Sequence, residues 1–121
     1  MEPRISLITL GVSDLARARR FYTHGLGWRE SAASQESVAF YQMGGSALAL
    51  WSRALLAADA GAPNDGAGFD GTALSHNVAS RAAVDVTLAE AERAGGSITR
   101  PAHDQPWGGY SGYFADPEGH R

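Results

Sequence analysis

Two amino acids are missing from this chain of 121 residues, which contains neither cysteine nor lysine. Without cysteine, disulfides and thiolate metal sites are excluded. Without lysine, a P-loop is excluded, and no GxGxxG motif opens a helix. The small net charge of −3 argues against a nucleic-acid partner.

Long apolar runs are also lacking. No window approaches the roughly 18 apolar residues of a membrane span. The start, MEPRISLITLGVSDL, has neither the charged region nor the cleavage site of a signal peptide. We therefore expect a cytoplasmic protein without a membrane partner. With 44% hydrophobic residues, the chain is long enough to form a single domain, 1–121, with its own core.

An order of strand, helix and further strands occurs twice along the chain. Each helix follows a Ser or Asp that can cap it and ends at glycine. We divide the chain into a first module (1–53), a connector (54–71) and a second module (72–121). The Ala-, Gly-, Asp- and Pro-rich connector has one predicted helical turn at 54–60. The predicted strands are 5–12, 26–33, 37–42, 46–53, 72–79, 97–100 and 110–115, and the predicted helices are 15–25 and 81–94.

Two stretches, ITLGVSDLARARRFYTHGLGW and WGGYSGYFADPEGH, resemble the vicinal oxygen chelate superfamily, the second a bacterial subgroup of it. This superfamily contains glyoxalase I, bleomycin-resistance proteins, fosfomycin-resistance enzymes and extradiol dioxygenases. The resemblance implies an α+β fold of two βαβββ modules, whose curved mixed sheet forms a cleft, usually within a homodimer. It also implies a last strand after the turn at 116–119. We expect that strand to lie beyond Arg121; the alternatives are that a partner supplies it or that the strand register differs.

The resemblance also implies where a metal would bind. Members of the superfamily hold a divalent metal in the cleft, with ligands on the first and last strands of each module. The matching positions here are Leu7, Ala49 and Ala73, whose side chains have no lone pair to offer. A shift of one residue does not rescue the site, because strand neighbours point to opposite faces. We therefore expect no metal and no other cofactor.

Small side chains at the cleft positions leave room for a small-molecule ligand, and an apolar pocket with a few polar groups is the usual form of such a site. Aromatic faces could stack on a planar ligand, or instead pack in the core or at a dimer seam. Tyr110 and Tyr113 differ by three, so only one of them is expected in the cleft. The predicted ligand-binding residues are Thr9, Phe40, Trp51, Ser75, Asn77, Trp107, Tyr110 and Tyr113.

Three functions stay open at this point. The first is a metal-free protein that binds a small, aromatic molecule. The second is an enzyme of the same superfamily, a lyase, isomerase or dioxygenase. It would use a divalent metal held by other groups, or His103 and Asp104 as an acid–base pair; a solvated loop is the alternative for those two residues. The third is a structural or regulatory dimer with a filled cleft.

Overall fold

The fold consists of a four-stranded sheet and a two-stranded sheet. The computed structural model describes residues 1–66, 69–115, 117 and 119–121. The mixed α+β architecture confirms the predicted fold class. In chain order the elements are β1 (Leu7–Val12), α1 (Leu15–Arg19), a π-helical turn (Arg20–Gly25), β2 (Val38–Met43), β3 (Ser46–Ser52), α2 (Arg53–Asp59), β4 (Thr72–Ser75), α3 (Arg81–Arg93), β5 (Ser97–Asp104) and β6 (Tyr110–Ala115).

The larger sheet has the order β2-β3-β1-β4. β1 runs parallel to β3 and antiparallel to β4, and β2 and β3 form an antiparallel hairpin. One face packs against α1, where Tyr41 and Leu50 are almost fully buried. Leu10, Val12 and Leu48 join them on this face, as strand alternation predicts.

The arginines of α1 do not all lie in solvent as their helical spacing suggests. Arg17 is exposed, but Arg19 is half-buried and lies 3.3 Å from Glu30. Its guanidinium closes the loop before β2 by donating to the carbonyl oxygens of Gln35, Glu36 and Val38. Helical periodicity could not predict these contacts, because the partners are distant in the sequence.

The second module divides between the two sheets. β4 joins the larger sheet, whereas β5 and β6 pair with each other beneath α3. Ser80 caps α3 as predicted, its hydroxyl accepting from the N–H of Ala83 at 3.1 Å. A Cβ added at Gly112 would lie 2.8 Å from Leu88 of α3, so this face of β6 is turned toward the helix.

Several predicted strand boundaries are wrong. The strand predicted at 26–33 is reduced to one bridge between Glu30 and Tyr41, and the strand predicted at 72–79 ends at Ser75. The strand predicted at 97–100 continues to Asp104. Register shifts on both sides of Arg100 accommodate Pro101, which has no N–H to donate. The turn predicted at 116–119 includes residues 116 and 118, which lie outside the described residues.

No helix in the described part of the chain combines the length and the apolar character that crossing a bilayer requires.

Candidate functional site

The face of the larger sheet opposite α1 is the candidate site, and we call it the floor. The register aligns each residue of one strand with a residue of the next, and aligned residues share a face. Leu7, Ala49 and Ala73 therefore point to the same side of the sheet. By the same register, the floor consists of Leu7, Thr9, Gly11, Val38, Phe40, Gln42, Ala47, Ala49, Trp51, Ala73 and Ser75.

The connector covers one end of the floor. Leu56 and Ala57 of α2 form a buried cluster with Phe69 and Ala73, and Trp51 packs against it. Leu7, Phe40 and Ala47 stay half-buried at the other end. The small side chains of the floor were expected to leave space for a ligand. Part of that space is instead filled by the chain's own α2, so the open part of the cleft is smaller than predicted.

Arg53, the first residue of α2, fixes Phe69 above the floor. Its Nη2 donates to the Phe69 carbonyl oxygen at 2.7 Å, and its guanidinium lies 5.3 Å from the Phe69 ring centroid. Its Nε donates to Asn64 Oδ1 at 3.0 Å. One arginine thus ties the beginning of the connector to its later part, which keeps Phe69 only 4% exposed.

Three polar side chains of the second module contact the C-terminal end of α2. We call them the polar cluster: Arg100, Gln105 and Tyr113. Tyr113 donates to Asp59 Oδ2 at 2.8 Å, and Gln105 donates to Asp59 Oδ1 at 3.2 Å. Arg100 donates to the carbonyl oxygens of Ala58 and Asp59 at 2.7 and 3.0 Å. An arginine at a helix C-terminus satisfies free carbonyls and complements the helix dipole.

The hydroxyl of Tyr113 is a donor in this arrangement. Burial and the hydrogen bond to the Asp59 carboxylate raise the pKa of Tyr113 above its ordinary value. The phenol therefore keeps its proton at neutral pH and holds Asp59 in place.

Tyr110 lies on the opposite face of β6 from Tyr113, as their spacing predicts. Its hydroxyl donates to Asp85 of α3 at 2.7 Å, and its ring lies 4.1 Å from the Arg81 guanidinium. It therefore packs beside α3 and does not face the floor. Trp107, in the turn between β5 and β6, is 77% exposed.

Asn77 follows the end of β4 and is exposed. Its N–H donates to Ser6 Oγ at 3.1 Å and its carbonyl oxygen accepts from Arg4. Five of the predicted ligand-binding residues thus surround the floor and α2, whereas Asn77, Trp107 and Tyr110 lie elsewhere; a role in ligand binding stays a prediction for all of them. The five are Thr9, Phe40, Trp51, Ser75 and Tyr113.

The structure separates His103 from Asp104. Both lie in β5 rather than in the predicted loop, and neighbours in a strand point to opposite faces. Asp104 accepts two bonds from Arg81, at 2.5 and 3.2 Å, and this hydrogen bonding lowers the pKa of Asp104. His103 Nδ1 lies 3.0 Å from the Pro101 carbonyl oxygen. The acid–base pair that the sequence suggested is therefore not assembled.

Two surface grooves lie beside the edge strands of the larger sheet, β2 and β4. The larger, of about 730 Å³, is bordered by Trp28, Glu30 and Met43, and its Glu30 is paired with Arg19. The smaller, of about 200 Å³, lies beside β4 near Phe69 and Leu74. Neither groove is lined by any of the predicted ligand-binding residues.

The residues of the floor do not fit a divalent metal. Leu7, Ala49 and Ala73 carry no donor atom, and the polar side chains that the register places on this face, those of Thr9, Gln42 and Ser75, are all uncharged. Amide and carbonyl oxygens can contribute to a divalent metal site, but such sites in proteins are built around imidazole, thiolate or carboxylate groups. Within the described ranges, no three His, Asp or Glu side chains come together.

Comparisons with known proteins agree with this fold. The profile of the Glyoxalase/Bleomycin resistance protein/Dioxygenase superfamily matches residues 4–121. A glyoxalase-related enzyme from Fulvimarina pelagi is 38% identical, the match covering 98% of this chain and 84% of that chain, with a TM-score of 0.49. A structure named as an NAD-dependent benzaldehyde dehydrogenase from Legionella pneumophila is 25% identical over 95% and 92% of the two chains, with a TM-score of 0.72. Curated proteins gave no match.

The chain belongs to the glyoxalase/bleomycin resistance protein/dioxygenase superfamily, since the family profile spans nearly all of it. The resemblance seen in the sequence is thereby confirmed. A hypothetical protein from Bacillus halodurans, 16% identical over 96% of this chain and 86% of its own, shares the fold with a TM-score of 0.57.

Sequence reasoning missed the residues that occupy the cleft. Leu56, Asp59 and Phe69 lie in the connector, which had no sustained period, whereas Arg100 lies within β5 and Gln105 directly follows it. The available signal was Leu55-Leu56, two large apolar residues next to each other in a stretch of alanines.

Proposed function

We propose that this protein binds a small apolar or aromatic molecule on the floor without a metal. The observation that carries the proposal is the position of Leu7, Ala49 and Ala73 on one face of one sheet. Where relatives are expected to place metal ligands, this chain has only hydrocarbon. Such a surface, with few polar groups, suits a small apolar ligand, and Phe40 and Trp51 can stack on a planar one.

Binding is favoured over catalysis by the state of the candidate catalytic groups. Asp104 is occupied by Arg81 and points away from His103. The hydroxyls of Thr9 and Ser75 have no base placed to activate them among the floor residues.

Elemental analysis after dialysis tests the metal-free part. We expect no stoichiometric divalent cation, because the floor has no suitable ligands. An ion bound one per chain, and lost when Ala49→Leu alters the floor, would contradict the proposal.

A thermal-shift screen with small aromatic molecules tests ligand binding. A ligand at 100 times its Kd raises the unfolding free energy by about 2.7 kcal/mol. Ala47→Phe fills the half-buried end of the floor and should abolish the shift, whereas Ala16→Phe, on the exposed side of α1, should leave it unchanged. The absence of any shift across the screen would favour a filled cleft instead.

A further inference from the structure

The end of α2 presents a carboxylate to three donors. Asp59 accepts from Tyr113 and Gln105 at 2.8 and 3.2 Å, and its Oδ1 lies 3.8 Å from Arg100 Nη1. The Asp59 side chain is only 21% exposed. A cation and two neutral donors converging on one carboxylate form a charge-assisted binding arrangement.

The other part of α2 is apolar and lies on the floor. Leu56 and Ala57 are each 1% exposed and pack with Phe69 and Ala73. α2 therefore combines an apolar body with a carboxylate at one end. The body lies on the larger sheet, where it contacts β1 and β3 of the first module and Ala73 of the second, and the carboxylate contacts Gln105 and Tyr113 of the second module.

Contacts within the second module help to position the polar cluster. Gln105 Nε2 also donates to Ser111 Oγ at 2.7 Å, and Arg100 and Tyr113 are aligned across β5 and β6. The next aligned pair is His103 and Ser111, and the buried Nε2 of His103 has no hydrogen-bond partner among the described residues. A buried polar atom without a partner is uncommon, and a polar group of a ligand would satisfy it.

We propose that Arg100, Gln105 and Tyr113 form a carboxylate-binding site that Asp59 occupies, and that the ligand of the cleft is an apolar carboxylate that competes with α2 for it. This inference rests on the proposed function, since the apolar body of the ligand would use the floor. The ligand binds only the fraction of molecules in which α2 has moved away, so the contacts of Asp59 lower its apparent affinity.

Calorimetry with 1-naphthoate and the neutral 1-naphthalenemethanol tests the inference on the full chain. Asp59→Asn removes the competing charge, so naphthoate should bind roughly tenfold more tightly than to the wild type. The alcohol should gain much less, because it carries no charge for Arg100. Adding Arg100→Gln to Asp59→Asn should remove the gain for naphthoate. Asp70→Asn, an exposed carboxylate of the same connector, is the matched control and should change neither affinity.

NMR on the wild-type protein keeps the test valid if Asp59→Asn does not fold. Naphthoate should shift both the Trp51 indole N–H and the Gln105 side-chain amide signals, whereas the alcohol should shift mainly the former. If both probes bind, but naphthoate gains nothing from Asp59→Asn or leaves the Gln105 amide unmoved, the inference is overturned and the proposed function stands. If neither probe binds any folded variant, both are overturned.

Discussion

At the scale of single residues, Gly61 determines how closely the connector approaches β5. It has a φ of +67°, and a Cβ at this position would overlap the carbonyl oxygen of Thr99. Only glycine meets both conditions, because other residues disfavour positive φ and carry that carbon. The polar cluster can reach α2 only because the two backbones lie this close together.

Gly61→Ala should therefore destabilise the protein more than a substitution that changes φ preference alone. Gly44 is the matched control, since its φ is +60° and no atom lies within 4 Å of the added Cβ. We expect Gly44→Ala to lower the free energy of unfolding by about 1 kcal/mol. Gly61→Ala should lower it by roughly 1–3 kcal/mol more, because its Cβ would overlap the Thr99 carbonyl oxygen. Urea unfolding measures both, and equal losses would refute the close approach.

Tyr113 links stability to pH on the alkaline side. Its pKa is raised in the folded state, mainly by burial, above the ordinary tyrosine value of 10.0. The folded state therefore holds the proton more tightly than the unfolded chain. The contribution of Tyr113 to the free energy of unfolding is complete below about pH 10. It is lost as the pH rises above this value, because the tyrosine of the unfolded chain ionises first.

Tyr113→Phe should flatten the fall in unfolding free energy above about pH 10. Urea unfolding at a series of pH values measures the slope for each protein. Tyr110→Phe is the control; a hydrogen bond to Asp85 raises the pKa of Tyr110, but this group is at the surface, so its effect is screened and should be smaller. Identical slopes for the wild type and Tyr113→Phe would show that the hydroxyl is not held as described.

The family resemblance and period-two alternation together predicted which side chains share the floor. They placed Leu7, Ala49 and Ala73 together and Tyr110 and Tyr113 apart, and the register and hydrogen bonds agree. Alternation describes a single strand, however, and does not reveal what covers the face that it defines.

At the scale of elements, the sequence predicted α2 itself but not where it docks. A helical turn was predicted at 54–60, and the helix spans Arg53–Asp59. Its position on the floor could not be predicted, because a helix of this length shows too few turns for an apolar stripe to stand out. The extension of β5 to Asp104 was missed for a different reason. Pro101 signals the end of a strand, but a two-stranded sheet with register shifts tolerates it.

The docking of α2 can be tested with two adjacent leucines. Leu56 is 1% exposed and Leu55 is 52% exposed on the same short helix. Leu56→Ala should lower the unfolding free energy by about 2–5 kcal/mol, since it leaves a cavity between the floor and α2. Leu55→Ala should change it by less than about 0.5 kcal/mol. Comparable effects measured by chemical denaturation would mean that α2 does not dock through Leu56.

At the scale of the whole molecule, repeated order along the chain predicted the architecture better than any local signal. The two modules were inferred from strands, caps and glycines, and this division stays a prediction; the family profile matches residues 4–121 as a whole. The division of the second module between two sheets could not be predicted from the sequence, because packing between distant segments determines which strands pair.

We expect the protein to form a homodimer, as the resemblance to the superfamily implies. Phe21 and Leu26, in and after the π-helical turn, are 56% and 49% exposed, and burying such side chains favours association. Sedimentation equilibrium should give a mass about twice the 12.7 kDa of one chain. Phe21→Ser should shift the equilibrium toward the monomer, with Val86→Ser, equally exposed on α3, as the control. A single-chain mass at every concentration would contradict the expectation.

The double role of α2 has a consequence for how such a chain could arise. A gene duplication supplies two similar halves, but neither copy contains a counterpart of the segment that lies between them here. Once this segment supplies side chains to both halves, removing or exchanging one half would expose apolar surface of the other half to solvent. The segment between the repeats, rather than either repeat, would then require the two halves to evolve together.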